Sequence, residues 1–359
     1  MKAMFRLFDR RLFVAALFVF TLALTAAPIT DGPPPGFDGN AGWLNSPALT
    51  PGDLKGKVVL IDFWDYTCVN CLRTLPYLRA WYDRYNKDGL VIVGVHSPAF
   101  GFAEDKGNVT AAIKRLDVSW PVVLDPKGAI WARYRNDAWP HEYLFDQSGH
   151  LVESIAGEGN YEATEGKIQA LLRAQNPQLS MPPVMALLPQ DSYAKPGAKC
   201  YPQTQELVVE LVGIADGAAN KGASATDAKY DDPGTHQDGA LYLQGTWHTT
   251  RESAVSVSPL GYVAFRYHAI QVVGVLTPQA GKSTRVDITQ DGSPIAKADA
   301  GSDIKYDGTK SYVTVDSPRE YELLINSKFG EHELELTPQD PGLGVYSFAF
   351  ESCEAGTDK

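Results

Sequence analysis

The chain has 359 residues, 44% of them hydrophobic and 21% charged, a composition inside the globular range that excludes a disordered or fibrous protein. Its 43 acidic residues against 32 basic ones give a formal net charge of −11, which excludes a nucleic-acid-binding surface and a polybasic membrane patch. The length predicts two domains at about 100–200 residues each, and the single long apolar run, Leu12 to Ile29, excludes a multi-span transporter.

Residues 1–29 read as a signal peptide or signal anchor. Lys2, Arg6, Arg10 and Arg11 form a basic start, Leu12 to Leu24 an apolar core, and Thr25, Ala26 and Ala27 a small-residue site. The Arg10-Arg11 pair leaves the Sec and twin-arginine routes both open, and Pro28, just beyond Ala27, leaves cleavage or retention as an inner-membrane anchor open. On either reading the body is periplasmic or otherwise extracytoplasmic, where disulfides persist.

Residues 30–51 are proline-rich and read as an extended tether. Over residues 52–176 strand-like apolar runs alternate with amphipathic helical ones, the signature of an α/β layer structure. The expected strands are Val58 to Trp64, Leu90 to His96, Pro121 to Leu124, Glu142 to Asp146 and Leu151 to Ala156; the expected helices are Val69 to Tyr85, Asn108 to Leu116 and Tyr161 to Arg173. Residues 177–199 carry prolines without periodicity and read as a linker. Over residues 200–355, nine short β-rich runs between Gly, Pro and Asp turn signals, from Leu207–Val212 to Val345–Phe350, predict an all-β sandwich of jelly-roll-like form with no helix.

The four cysteines are of two kinds. Cys68 and Cys71 frame Cys-Val-Asn-Cys between a strand and a helix, which puts Cys68 at a helix N-terminus, where free N–H groups and the dipole favour its thiolate. Cys71, one turn on, is the resolving thiol. Zinc would need about four ligands, and no second Cys-x-x-Cys exists. Cys200 and Cys353 stand at the two ends of the sandwich and are expected to form a structural disulfide. No cofactor and no metal is expected. In its apolar strand, Asp62 would have a raised pKa and act as proton acceptor for Cys71.

These residues resemble the thioredoxin family, and within it the exported TlpA and DipZ type. Asp62-Phe63-Trp64 before Cys68 matches the strand with a buried aspartate, Pro76 matches the proline of the active-site helix, and Trp139-Pro140 falls at the family's cis-proline. The turn Asp146 to His150 fits the family hairpin, while Trp64 to Leu78, Val93 to Pro98 and Gly157 to Glu165 look like the DipZ branch, in which a sandwich resembling a carbohydrate-binding module follows. The resemblance implies a thioredoxin fold before the sandwich and dithiol–disulfide exchange, with Cys68, Cys71, Asp62 and Pro140 as catalytic residues. Trp64, Tyr66, Trp139 and His141 would form the substrate rim. The implied role is that of a reductant for disulfide-bearing extracytoplasmic proteins, supplied by a separate membrane donor of the CcdA or DsbD kind. Val69 and Asn70 agree with that direction, because neither brings positive charge to the thiolate.

Two alternatives stay open. A thiol peroxidase needs Pro-x-x-x-Thr-x-x-Cys, whereas Thr67 is adjacent to Cys68. A glycan or cell-wall binding module would stack sugars on Trp247, Tyr242, Tyr262 and Tyr267, although strand aromatics more often fill a core. Asp231, Asp232 and Asp238 are a candidate calcium loop or a solvated turn.

Overall fold

The structure is a computed structural model that describes residues 34–189, 191, 197–212, 226–259 and 261–354; the expected export segment and anchor lie outside them. Among the described residues no helix is long and apolar enough to cross a membrane.

The first domain is built on a six-stranded mixed sheet of order β1-β4-β3-β2-β5-β6. Its strands are β1 (Trp43–Leu44), β2 (Val58–Trp64), β3 (Leu90–His96), β4 (Val122–Leu124), β5 (His141–Phe145) and β6 (Leu151–Ala156). Strand β2 sits in the middle, parallel to β3 and antiparallel to β5. All seven of its residues are buried, as expected of a central strand covered on both faces. Helices α1 (Val69–Tyr85), α2 (Lys106–Arg115) and α4 (Tyr161–Gln175) share one core with Leu60, Trp64, Trp81 and Trp120. On the other face, α3 (Ala129–Tyr134) packs over Val59, Ile61 and Phe63. This is a thioredoxin fold.

Two expectations for the flanks need correction. Residues 34–51, expected as part of an extended tether, are docked on the domain: Trp43 and Leu44 pair with Val123 and Val122, and Phe37 is buried against the α3 face. The outer edge of β4 would otherwise present unpaired backbone groups, and this segment satisfies them. Residues 177–189 of the expected linker are likewise anchored, with Leu179, Met181, Met185 and Leu188 on the α1 core. The Met185 N–H donates to Glu165 Oε2 at 2.8 Å and the Leu188 N–H to the Tyr77 hydroxyl at 2.8 Å.

Among the described residues the second domain holds an all-antiparallel sheet of eleven strands. Inward residues from Leu207 to Phe350 form one core, which a single sheet achieves by curling into two facing layers. The expectation of short strands fails at two places. Tyr262–Thr277 and Arg319–Pro338 each run through two of the expected elements and are paired with each other on both sides of a break at Asn326–Phe329. Bulges near Ala269 and Val272 let them bend with the sheet. The run expected as Leu207 to Val212 is a strand only over Leu207–Val208 and turns helical at Val209–Val212.

Trp247 and Tyr267 are fully buried in the core and Tyr242 nearly so, so these aromatics hold the sandwich together and offer no stacking face for a sugar. The Tyr262 hydroxyl donates to Asp232, which also pairs with His236 at 2.8 Å, tying the acidic loop internally. Cys200 and Cys353 lie opposite each other in a short strand pair and are joined by a disulfide.

Candidate active site

Strand β2 delivers the chain to a tight turn that Asp65 organises. Its buried carboxylate accepts hydrogen bonds from Thr67 N–H at 3.2 Å, Thr67 Oγ1 at 3.0 Å and Ala99 N–H at 2.7 Å, and His96 Nε2 lies 3.4 Å away. Burial opposes its charge, but His96 and these N–H donors outweigh that and hold its pKa below the usual carboxylate value. No sequence pattern marks Asp65, because an acid in a turn carries no period; its value comes from His96 and Ala99, which are distant in sequence.

Cys68 caps α1. Its backbone is extended and its Sγ accepts the Cys71 N–H at 3.2 Å, so the sulfur occupies the place of a capping oxygen at the positive end of the helix. Cys68 is half-buried, whereas Cys71 is fully enclosed. The two sulfurs are bonded, with Cα atoms 5.2 Å apart. Only Cys68 is open to an incoming sulfur.

Asp62 lies on the α1 face of β2, completely buried, and among the described residues neither carboxyl oxygen has a hydrogen-bond partner. Desolvation pushes its pKa up to about 7. Directly across on β5 stands Glu142, also buried, with its pKa raised by burial and by the neighbouring charges of Asp62 and Glu153. Glu142 was read from the sequence only as a strand residue. The signal that could have found it is strand parity, since it shares the face of Leu144, a residue of the α1 core.

The remaining expected site residues divide. The Trp139–Pro140 bond is cis, Trp139 Nε1 donates to the Ser97 carbonyl at 3.0 Å, and Trp139 lines a cavity with Cys68. Trp64 and Tyr66 are fully buried beneath the site, packed against His96, and present no rim. The structure does not bring His141 to the cysteines. It shares the parity of Tyr143 and Phe145, on the opposite face of the sheet, where Nε2 meets Ser154 Oγ at 2.8 Å.

Residues 45–172 match the redoxin family. The first domain is a redoxin. Residues 212–350 match a family described as a thioredoxin-like C-terminal domain. The chain is 32% identical to the protein DipZ of Mycobacterium tuberculosis over 322 residues, which is 89% of this chain and 43% of that protein; it therefore spans less than half of that relative. The redoxin region is 32% identical over 119 residues to the thiol-disulfide oxidoreductase ResA of Bacillus cereus, covering 33% of this chain and 66% of ResA. It is 28% identical over 140 residues to YkuV, a thiol-disulfide oxidoreductase of Bacillus subtilis, covering 39% of this chain and 94% of YkuV. These relatives and the Cys68–Cys71 pair support a redox role.

Proposed function

We propose that the protein is an extracytoplasmic thiol-disulfide oxidoreductase that reduces disulfides in partner proteins. The observation that carries this reading is the unequal placement of the two cysteines: Cys68 caps α1 and is half-exposed, and Cys71 is enclosed behind it. In the reduced protein the Cys68 thiolate attacks a partner disulfide, forms a mixed disulfide and releases one partner thiolate. Asp62 then takes the proton of Cys71, whose sulfur displaces the second partner thiolate and closes the Cys68–Cys71 bond. The dithiol gives the partner two electrons; the two partner thiolates are protonated through water, one equivalent being the proton Cys68 lost on ionising and the other the Cys71 proton that Asp62 gives up again.

The direction follows from what surrounds the thiolate. A strong oxidant needs its reduced form greatly stabilised. Val69 and Asn70 carry no charge, and the nearby Arg73 is engaged by Glu158 and Glu351. A potential nearer that of thioredoxin, about −270 mV, than that of DsbA, about −120 mV, is expected. Electrons would come from a separate membrane donor of the CcdA or DsbD kind, which matches export through the N-terminal segment. The test is trapping: Cys71→Ser should accumulate a mixed disulfide through Cys68 that mass spectrometry detects, and equal trapping by Cys68→Ser would overturn the assignment.

A further inference from the structure

The second domain stands over the redox cysteines and is fastened to the redoxin domain at two separate points. On α1, Arg73 is ion-paired with Glu158 of its own domain at 3.1 Å and with Glu351 of the sandwich, and it donates to Gln271 at 2.8 Å. The Arg73 and Glu351 side chains are only 14% and 23% exposed, so this contact is far less screened than a surface ion pair. On the loop after β3, the Tyr346 ring lies edge-on to Phe100 and Phe102, with centroids 5.3 and 4.7 Å away. Beside it the Gly101 N–H donates to Glu252 at 3.0 Å.

Between the domains lies a cavity of about 420 Å³. Cys68 and Trp139 line it from the redoxin side, and Val208, Val275 and Phe350 from the sandwich. A volume of this size matches a small-ligand site of roughly 300–1,000 Å³, whereas a folded partner docks through roughly 800 Å² of its surface. A sulfur can therefore reach Cys68 on a narrow segment but not on a broad folded face. The charged residues lining the cavity are Glu206, whose pKa burial raises, and Glu210, paired with Arg251 at 2.6 Å; among the described residues no basic side chain lines it to receive an acidic segment, which favours neutral or basic ones.

We propose that the sandwich is a fixed wall of the substrate site, and that the site takes disulfides carried on extended chain segments with neutral or basic flanks while turning away those in folded faces. This rests on the oxidoreductase reading for the identity of the substrate, but the wall itself can be tested without any exchange. In the full chain bearing Cys71→Ser, Cys68 is a free thiol whose reaction with N-ethylmaleimide and with a polyethylene-glycol maleimide of about 5 kDa can be compared, and its preference for the small reagent should exceed that of glutathione by about tenfold, since restricted approach lowers association rates. Adding Tyr346→Ala and Glu351→Gln should bring the preference back toward that of glutathione. A parent preference equal to that of glutathione would overturn the wall.

A second measurement needs no interface variant. Wild-type reduced protein should be oxidised about tenfold faster by a disulfide-linked peptide than by a folded protein with a surface disulfide, and several-fold faster by a Lys-flanked than by a Glu-flanked peptide. Equal or faster reaction with the folded protein, or no preference for the Lys flank, would overturn the substrate assignment. Size discrimination at Cys68 with no exchange toward any disulfide would support the wall and overturn the oxidoreductase reading.

Discussion

Asp62 and Glu142 face each other across β2 and β5, two buried carboxyls on the α1 side of the sheet. Among the described residues no cation pairs with either one, and Glu153, the next acid outward, is itself ion-paired with Lys167. Two like charges cannot both ionise at this spacing without large cost, so the pair retains a proton in the neutral range.

This arrangement makes stability depend on pH in a defined direction. The folded Asp62 holds its proton up to about pH 7, against an ordinary value of 3.8, so the folded state binds more protons than the unfolded chain over that window and stability falls as pH rises through it. Asp62→Asn should be nearly neutral at pH 4 and stabilise the protein above pH 7, on the order of 4 kcal/mol from a shift of about three pH units. Urea unfolding at pH 4.5 and 8 measures the difference. Equal gains at both values would show that Asp62 is not held protonated.

The same pair bears on the exchange step. If Asp62 accepts the Cys71 proton, Asp62→Asn should slow resolution of the mixed disulfide by about a hundredfold, the usual scale of lost general-base catalysis, while leaving the attack by Cys68 little changed. Glu142→Gln removes the like charge and should move the rising limb of the pH–rate profile for resolution to lower pH. Stopped-flow release of the partner thiol reads both effects, and a profile that stays in place would separate Glu142 from proton transfer.

Asp65 is expected to matter through geometry. Asp65→Ala leaves the Thr67 and Ala99 N–H groups without their acceptor, which should cost about 2–3 kcal/mol for lost charge-assisted bonds and loosen the turn that presents Cys68. Thermal unfolding gives the first effect, and a slower alkylation of Cys68 at fixed pH the second. An unchanged melting temperature would mean that His96 and the helix cap hold the turn without it.

The Cys200–Cys353 disulfide closes a separation of 153 residues. The chain-entropy relation gives roughly 5 kcal/mol for such a loop, so Cys353→Ser should lower the unfolding midpoint of the sandwich while the redox site keeps its reactivity. Non-reducing peptide mapping of the wild type should return the two cysteine peptides linked. Either cysteine alkylated in fresh protein would contradict the pairing.

Elements whose signals are local were legible in the amino-acid pattern. The apolar run of β2, broken only by Asp62, marked a strand, the period of Val69 to Tyr85 set α1, and the spacing of Cys68 and Cys71 just after that strand placed the redox pair. Turn signals and alternating runs likewise set an all-β second half. What depended on distant partners was decided by the tertiary structure. Trp43 became a strand because β4 had a free edge, and the runs from Tyr262 and Arg319 each continued past an apparent break because their pairing resumes beyond Asn326–Phe329. Asp62 had no visible neighbour until the register of β5 put Glu142 opposite it, and His141, one residue earlier, went to the other face by the same alternation. The wall over Cys68 is the extreme case: Arg73 meets Glu351 across 278 residues of chain, and no pattern in either segment announces the other.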